Sequence, residues 1–256
     1  MAKTILITGS TSGIGLETAK TFAAQGYNIV FNGLETNGAD IARQVANEYN
    51  VGYLFSPANM MYPAEIRTMV AEAIAAFGSI EVLVNNAGMQ YVAPVNEFPD
   101  DKWDAIIAVN LSAAFHATKA VWDCMKNQGY GRIINIASAH GLRASAFKGA
   151  YVAAKHGLVG FTKTIALEGA PYGITCNAIC PGYVDTAIVR KQIPQQAKAH
   201  NMTEKEVIDN IFLERHAVKE FVPIELVAQT TWFLASPQAG TITGIALPVD
   251  AGWTAH

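Results

Sequence analysis

Residues 4–26, TILITGSTSGIGLETAKTFAAQG, contain a strand, a glycine turn and a helix in immediate succession. The first five residues are apolar or β-branched, as in a buried strand, and LETAKTFAAQG has the spacing of an amphipathic helix that Gly26 could end. Between them lie Gly9, Gly13 and Gly15, in the spacing G-x-x-x-G-x-G. Glycines at such a turn let the backbone approach a pyrophosphate, which the helix N-terminus attracts. A glycine turn alone is a weak signal, but this strand and helix around it predict a dinucleotide site.

The rest of the chain continues the alternation of strand and helix. Further strand patterns occur at residues 28–32, 52–56, 81–85, 133–137, 173–180 and 245–249. This order predicts one doubly wound (Rossmann-type) α/β domain over residues 1–256, with a seven-stranded parallel sheet and helices on both faces. Between about 185 and 222 the hydrophobic pattern weakens, and the segment is too long for an ordinary loop. We therefore expect a substrate lid there.

Composition restricts the classes of partner. The 256-residue chain has a net charge of −3 and no basic block, which argues against nucleic acid or an anionic membrane as a partner. Its mean hydropathy of +0.19 indicates enough apolar material for a large core. No uninterrupted apolar run, however, reaches the ~18 residues of a membrane span. Residues 1–3 lead directly into the first strand, so no signal peptide is expected.

The cysteines indicate a reducing compartment. Cys124, Cys176 and Cys180 are too few, and too deep in apolar segments, for a disulfide framework. Cys176 and Cys180 also lack the further Cys or His ligands of a zinc site, and no metal is required. We expect reduced core thiols in a cytoplasmic protein.

The end of the second predicted strand bears on the choice of nucleotide. In NAD sites an acidic residue at this point binds the ribose 2′-hydroxyl, whereas an arginine admits a 2′-phosphate. Here Gly33 and Leu34 stand at the tip, with Glu35 just beyond, and the glycine turn contains no basic residue. The absence of cations disfavours NADP more clearly than it establishes NAD. Asn59, in the turn after the third strand, could bind an adenine edge or be a plain turn residue.

A second informative stretch is IASAHGLRASAFKGAYVAAKHG, residues 136–157. Tyr151 and Lys155 are four residues apart and would stack on one face of a helix. A lysine cation one turn away favours the phenolate and brings a phenol, whose ordinary pKa is about 10, towards a useful acid–base range. Ser138 follows a buried-strand pattern and would lie at the sheet edge where α/β proteins bind ligands. Taken alone, such residues are more often a surface helix pair and a turn serine.

Other polar residues could complete a site. Asn110 lies among apolar residues of a predicted helix, where it would either cap an internal irregularity or hold a water near Lys155. The turn at 85–88, NNAG, can tie down neighbouring loops through its side-chain amides. His140 and Lys148 flank the serine and the tyrosine. A lysine with amide donors suits a small carboxylate. His140 and Lys148 could also be ordinary loop residues.

Together, TGSTSGIG, NNAG, Asn110, Ser138, YVAAK and PGY resemble the short-chain dehydrogenase/reductase family over essentially the whole chain. The resemblance implies an oxidoreductase with the catalytic tetrad Asn110, Ser138, Tyr151 and Lys155. It also implies a nicotinamide dinucleotide, which we expect to be NAD from the missing cations, in contact with Gly9, Thr11, Ser12, Gly13, Ile14, Gly15, Leu34, Asn59, Met60, Asn86, Ala87, Gly88, Tyr151, Lys155, Pro181, Gly182 and Val184.

Several motifs, among them IINIASAHG, NAICPG, RKQI and the ending GWTAH, are similar to the bacterial D-3-hydroxybutyrate dehydrogenases. This similarity implies reversible oxidation of D-3-hydroxybutyrate to acetoacetate. The implied substrate contacts are Gln90, Ser138, His140, Lys148, Tyr151, Tyr183, Gln192 and Trp253, of which Gln90, His140, Lys148 and Gln192 would hold the carboxylate. The chain departs from that subfamily at Tyr183, Asn59 and Ala251, where tryptophan, aspartate and glycine are usual.

The resemblance further implies a mechanism and a homotetramer. Tyr151, as phenolate, would take the 3-hydroxyl proton while Ser138 binds the substrate oxygen. Lys155 would bind the nicotinamide ribose, and Asn110 would connect it through water to a proton exit. The tetramer interfaces would contain helix pairs and the apolar C-terminal strand.

Three alternatives stay open. A 3-oxoacyl-thioester reductase shares the fold and tetrad, but the missing cations and the carboxylate set count against it. A dehydrogenase of another small 3-hydroxy or 3-oxo acid is left open by Tyr183. Outside the enzymes, the chain could be a silent nucleotide sensor, which the intact Ser138, Tyr151 and Lys155 argue against.

Overall fold

The computed structural model describes residues 2–255, with the side chains at positions 187, 188, 192, 195 and 199 excepted. In this part of the chain seven strands form one sheet: β1 (Thr4–Ile7), β2 (Asn28–Asn32), β3 (Tyr53–Ser56), β4 (Val82–Asn85), β5 (Gly131–Ile136), β6 (Ile174–Pro181) and β7 (Ala246–Val249). Their spatial order is β3-β2-β1-β4-β5-β6-β7, and each neighbouring pair is parallel. The predicted Rossmann-type α/β fold is confirmed.

Helices connect the strands: α1 (Gly13–Ala23), α2 (Gly38–Tyr49), α3 (Pro63–Phe77), α4 (Asp100–Ile107), α5 (Ala113–Gln128), α6 (Gly149–Gly169), α7 (Ala187–His200), α8 (Glu204–Val207) and α9 (Ile224–Ala235). Local sequence explains several of their ends. Helix α3 begins at Pro63, whose missing N–H is harmless at a first turn, and ends at Phe77, directly before Gly78, which has a φ of 82°.

The sheet is buried on both faces because successive residues of a strand point to opposite sides. On β1, Ile5 and Ile7 pack with α1, α2 and α9, whereas Leu6 packs with α3, α5 and α6 on the other face. Phe22 of α1 is fully buried and makes edge-to-face contact with Trp232 of α9. Helices therefore cover both faces, as the apolar strand patterns predict.

The strand order places a crevice at the carboxyl edge of the sheet. From β1 the chain moves outward to β2 and β3, and then returns to the other side of β1 for β4 to β7. The connections after β1 and β4 consequently leave in opposite directions and open a gap between them, where such sheets bind ligands. The glycine turn follows β1, and Ser138 follows β5, so both lie at this edge.

The segment at 185–222 is mostly helical. It contains α7, α8 and a π-helical turn at Ile208–Phe212, and Val184 and Val222 form a parallel bridge at its two ends. Its buried members form a small apolar cluster: Ile193, Val207, Phe212 and Leu213. Because these residues are spread along about 20 positions, they produce no long apolar run, which explains the weak hydrophobic pattern. A lid role for this segment stays a prediction.

Within the described residues one helix, the continuous stretch Asp100–Gln128, is long and apolar enough by length and composition alone to cross a membrane. It comprises α4, a π-helical segment at Ala108–Ser112, and α5. Its residues Ala117, Val121 and Met125 are buried in the core beneath the sheet. Core helices commonly have this composition, so the helix is weak support for a membrane span.

Candidate active site

A cleft of about 1150 Å³ lies along the carboxyl edge of the sheet. Most of the predicted site residues line it: Gly9, Ser12, Gly13, Ile14, Leu34, Asn59, Met60, Asn86, Ala87, Gly88, Gln90, Ser138, His140, Lys148, Tyr151, Lys155, Pro181, Gly182, Tyr183, Val184 and Trp253. Thr11, Gly15 and Asn110 are buried and support residues of the cleft wall. Gln192 belongs to α7, but its side chain lies outside the described residues.

The glycine turn brings backbone groups to the cleft at the N-terminus of α1. Gly9 has a φ of 63°, and a Cβ on Gly15 would lie 2.2 Å from the Gly9 carbonyl oxygen. The amide of Asn86 donates to the carbonyl oxygens of Thr8 (2.9 Å) and Gly9 (2.8 Å), which ties the turn to the end of β4. Backbone N–H groups at a helix N-terminus bind phosphate. The turn therefore fits the pyrophosphate of a dinucleotide.

Glu35 folds back over the tip of β2. Its carboxylate accepts a hydrogen bond from the Thr11 hydroxyl in the glycine turn. A Cβ on Gly33 would lie 2.2 Å from Thr11 Oγ1 and 2.6 Å from Glu35 Oε2, so only glycine leaves room for this contact. Leu34, between them, is 65 % exposed. An acidic group consequently stands beside the glycine turn although the strand tip itself carries none.

Asn59 stabilises the turn in which it lies. Its Oδ1 accepts from the N–H of Met61 at 2.9 Å, and its own N–H donates to Glu65 at 2.7 Å. This contact is an ordinary turn interaction of asparagine. The residue also lines the cleft, so an additional adenine contact stays a prediction.

Asn110 lies in the π-helical segment Ala108–Ser112, so the irregularity that its sequence context suggested is present. Its Oδ1 accepts from the Met89 N–H at 3.0 Å, and its Nδ2 donates to the Met89 carbonyl at 2.7 Å. Both the oxygen and the nitrogen of the buried Asn110 amide therefore have a hydrogen-bond partner. Asn110 holds the loop that follows β4, and with it the neighbouring Gln90.

Ser138, Tyr151 and Lys155 meet at the end of β5. Lys155 is buried, donates to the Ile136 carbonyl at 2.8 Å, and has its Nζ 5.6 Å from the centroid of the Tyr151 ring. Burial raises the pKa of Tyr151, and the Ser138 side chain opposes this rise. Burial also lowers the pKa of Lys155 to about 8. In the protein alone, therefore, it is Ser138 that favours the phenolate.

His140 is buried between two serines. Its Nδ1 lies 3.4 Å from Ser138 Oγ, and its Nε2 lies 3.1 Å from Ser145 Oγ. Burial lowers the pKa of the ring to about 4, and the positive charges of Lys148 and Arg215 contribute to this shift. The imidazole is consequently neutral at physiological pH.

Lys148 brings a positive charge into the cleft. Its Nζ lies 3.5 Å from the Tyr183 hydroxyl, and burial lowers its pKa, with Arg215 adding to the effect. Among the described residues, no Asp or Glu oxygen comes within 4.0 Å of Lys148 Nζ. A partly buried cation without a carboxylate partner favours an anionic ligand.

A group of aromatic rings packs beside His140, and the edge of its ring contacts Trp253 at a centroid distance of 4.9 Å. Tyr183 stacks on Trp253, with centroids 5.6 Å apart and planes at 10°, and meets the edge of Phe212 at 5.1 Å. The Tyr183 N–H donates to Nε2 of the buried His216 at 3.2 Å, and Nδ1 of that histidine lies 2.9 Å from the Glu220 carbonyl. His216 therefore holds the turn after β6 that carries Tyr183.

Sequence reasoning did not identify Ser145, Arg215 or His216. Each is a single polar residue in a polar segment and carries no local signal. Their contacts join segments that are distant in the chain, as when Arg215 donates to the Ala144 carbonyl at 3.4 Å. Only the packing of the two segments makes these residues part of the site.

A tyrosine acid–base group beside a dinucleotide phosphate cradle suits oxidation and reduction of an alcohol and a carbonyl, so the fold and site define an oxidoreductase. Comparison with known proteins agrees. A family model described as short chain dehydrogenase matches residues 3–197. The chain belongs to the short-chain dehydrogenase family, which implies a nicotinamide dinucleotide as its cofactor.

Individual relatives are similar over the full length. The chain is 51 % identical over 260 residues to D-beta-hydroxybutyrate dehydrogenase of Rhizobium meliloti, covering 100 % of both chains. It is 47 % identical over 257 residues to D-beta-hydroxybutyrate dehydrogenase of Cupriavidus necator, covering 99 % and 98 %. Among solved structures, a single-substitution variant of actinorhodin polyketide ketoreductase with NADPH has a TM-score of 0.93 and 32 % identity, covering 100 % and 98 %.

Proposed function

We propose that the protein is an NAD-dependent D-3-hydroxybutyrate dehydrogenase, which reversibly converts D-3-hydroxybutyrate to acetoacetate. The observation that supports this most directly is Lys148, a partly buried cation without a carboxylate partner among the described residues, beside Tyr183 in the cleft that holds Tyr151. A small hydroxy acid supplies the missing anion together with a hydroxyl for Tyr151. The two full-length relatives named D-beta-hydroxybutyrate dehydrogenase support the same substrate.

The mechanism assigns a task to each residue. The Tyr151 oxygen, as phenolate, accepts the proton of the 3-hydroxyl, and Ser138 donates a hydrogen bond to the same substrate oxygen. Lys155, whose pKa of about 8 leaves it largely protonated at about pH 7, supplies a positive charge one turn away. The glycine turn would hold the nicotinamide dinucleotide, which would supply the acceptor for the C3 hydride. Asn110 keeps the loop of Met89 in place through its two hydrogen bonds.

The lid segment and the carboxylate site belong to this proposal. Lys148 supplies the charge, and Gln90 and Trp253 line the same cleft. Ile211 and Phe212, from the segment at 185–222, also line it, so a movement of that segment would change access to the substrate. Such closure would exclude water from the reacting atoms.

Absorbance at 340 nm tests the proposed reaction. We expect rapid NAD reduction with D-3-hydroxybutyrate and little with the L-enantiomer, because only one face of C3 can meet both Tyr151 and the cofactor. Faster reduction of an acetoacetyl thioester with NADPH would instead indicate a 3-oxoacyl-thioester reductase. A higher kcat/KM for another hydroxy acid would make that acid the proposed substrate in place of D-3-hydroxybutyrate. Cofactor binding without turnover of any of these would indicate a sensor.

NAD is expected to exceed NADP in kcat/KM by at least roughly tenfold, a difference that corresponds to about 1.4 kcal/mol. The reason is that the Glu35 carboxylate, held by Thr11, would repel a 2′-phosphate, and the described lining of the cleft contains no Arg and only the lysines Lys148 and Lys155. Steady-state rates with both cofactors measure the ratio. Glu35→Gln should reduce the ratio of kcat/KM for NAD to that for NADP. Glu48→Gln, which removes an exposed charge on α2 and serves as the control, should leave this ratio unchanged. Equal use of the two cofactors by the wild type would contradict the assignment.

A homotetramer is expected in solution. Helices α5 and α6 expose Phe115 and Leu167, and α9 exposes Leu226 and Phe233, apolar side chains that packing against further copies of the chain would bury. Strand β7 ends the sheet and, within the described part of the chain, leaves an unpaired edge. Light scattering at micromolar concentration should give four times the 27.4 kDa chain mass. A monomer under these conditions would contradict the proposal.

A cytoplasmic location is also proposed. Cys124, Cys176 and Cys180 are free thiols, and the last two are buried. Burial raises the pKa of Cys180 to about 11, which keeps it protonated and unreactive. Such unpaired core thiols suit a reducing compartment.

A further inference from the structure

The hydroxyl group of Tyr183 faces Lys148 inside the cleft. Lys148 Nζ lies 3.5 Å from Tyr183 Oη, and both residues are half-buried in the cleft lining. An ammonium group has only protons to donate, so the hydroxyl oxygen accepts from it and keeps its own proton. Among the described residues, no acceptor for this proton lies within hydrogen-bond distance of Tyr183 Oη.

The position of Tyr183 is fixed by both its ring and its backbone. The ring stacks on Trp253 and meets the edge of Phe212. The backbone N–H donates to His216 Nε2 at 3.2 Å, and the backbone carbonyl accepts from the Val222 N–H at 2.9 Å. The hydroxyl therefore cannot leave the cleft without breaking these contacts. A group that is already held in place loses little conformational freedom when a ligand binds.

The two donors suit a carboxylate. A carboxylate has two oxygens and about four lone-pair sites, so it can accept from an ammonium and a hydroxyl at the same time. Donation from Lys148 to the hydroxyl oxygen also polarises the Tyr183 O–H and strengthens it as a donor. Lys148 caps the N-terminus of the 21-residue helix α6, whose positive end favours an anion.

A series of rings connects this pair of donors to the catalytic tyrosine. The centroid distances are 5.9 Å from Tyr151 to His140, 4.9 Å from His140 to Trp253 and 5.6 Å from Trp253 to Tyr183. All four residues line the same cleft. An acid with its hydroxyl at Tyr151 can thus direct its carboxylate along this wall.

We propose that Tyr183 is a specificity-determining residue, whose hydroxyl donates a hydrogen bond to the substrate carboxylate beside Lys148. The pair then selects a free acid over an ester, amide or thioester of the same chain. The tryptophan that is usual here in the bacterial D-3-hydroxybutyrate dehydrogenases has no hydroxyl, so this contact belongs to the present chain. The inference deepens the proposed function, on which the identity of the acid rests.

Calorimetry with an inert acid tests the contact without turnover. Isobutyrate has no hydroxyl to oxidise, and isobutyramide is its uncharged counterpart. Each is titrated into protein saturated with the nicotinamide dinucleotide that binds more tightly. The wild type should bind isobutyrate more tightly than the amide. Tyr183→Phe, which keeps the ring, should weaken isobutyrate by about tenfold and isobutyramide by about threefold or less, because hydrogen bonds to charged groups are stronger.

Three calorimetric outcomes would refute the inference. These are a wild type without preference for isobutyrate, a Tyr183→Phe variant that binds isobutyrate as the wild type does, and a variant that loses affinity equally for the acid and the amide. The last result would assign the effect to the shape of the pocket. In each case the proton of the Tyr183 hydroxyl would have no part in recognising the anion.

Steady-state kinetics test the consequence for the reaction. Tyr183→Phe should lower kcat/KM for D-3-hydroxybutyrate by about tenfold, mostly through KM, since the carboxylate is bound alike in the ground and transition states. Its kcat/KM for the methyl ester should change little. The control is Tyr172→Phe, a tyrosine just before β6 whose ring also lies near a lysine, Lys126 Nζ at 4.5 Å, and it should be neutral.

The kinetics and the calorimetry separate this inference from the proposed function. Equal falls for the acid and the ester in Tyr183→Phe would refute the inference and leave the reaction as proposed. A wild type that turns over no 3-hydroxy acid, yet binds isobutyrate through Tyr183 as expected, would refute the proposed function alone.

Discussion

Tyr151→Phe is expected to lower kcat by about a hundredfold to ten-thousandfold, the usual contribution of a positioned acid–base group. The phenol oxygen is the only heavy atom removed. The ring remains in place between neighbouring apolar residues such as Ile106 and Ala154. The loss should therefore be confined to proton transfer. Stopped-flow or steady-state absorbance at 340 nm measures it.

Binding and stability measurements separate this effect from misfolding. NAD affinity by calorimetry and the melting temperature should stay near wild-type values, because Tyr151→Phe removes neither the glycine cradle nor a core contact. Tyr62→Phe, an exposed tyrosine just before α3, is the matched control and should have full activity. Wild-type turnover in Tyr151→Phe would remove Tyr151 from the mechanism.

Lys148→Ala is expected to lower kcat/KM for D-3-hydroxybutyrate by about tenfold to more than hundredfold. A hydrogen bond to a charged group contributes roughly 1.5–3 kcal/mol, and its loss leaves the substrate carboxylate partly unpaired. An uncharged substrate of similar size, the methyl ester of 3-hydroxybutyrate, makes the comparison decisive. The wild type should strongly prefer the acid, and the variant should lose most of that preference. A variant that keeps the full preference would place the carboxylate site elsewhere.

Stability should change in the opposite direction to activity. The pKa of Lys148 is lowered in the folded protein, which means that its charged form is disfavoured there relative to the unfolded chain. At neutral pH the lysine therefore reduces the stability of the fold, and its removal should leave the melting temperature equal or higher. Lys163→Ala, an exposed lysine on α6, is the control and should alter neither activity nor acid preference. A clear fall in melting temperature for Lys148→Ala would indicate a structural role.

Much of the fold could be predicted because its signals are local. The apolar runs identify the strands to within about two residues, and Pro63 and Gly78 mark the two ends of α3 chemically. Strands buried on both faces need apolar residues at successive positions, whatever lies beside them. The segment at 185–222 was harder, since its four-residue apolar cluster forms only when the helices pack together.

Elements of the site were predictable to different degrees. The glycine turn, Ser138 and the Tyr151–Lys155 pair have fixed spacings within one turn or one helix, so the sequence identifies them. Glu35 shows the limit: it stands beyond the strand tip, and only the fold of the chain brings its carboxylate onto Thr11. The resemblance to the family supplied the substrate contacts that spacing alone left open.

The sequence by itself determined the order of strands and helices, the glycine cradle and the candidate acid–base group, because each depends on residues a few positions apart. Only the tertiary structure decided the electrostatics: that Ser138 favours the Tyr151 phenolate, that His140 is neutral, and that Lys148 lacks a carboxylate partner among the described residues. These properties depend on burial and on charges from segments distant in the chain, such as Arg215 beside the loop of Lys148. Desolvation and Coulomb interaction act through space, and a sequence pattern records only distance along the chain.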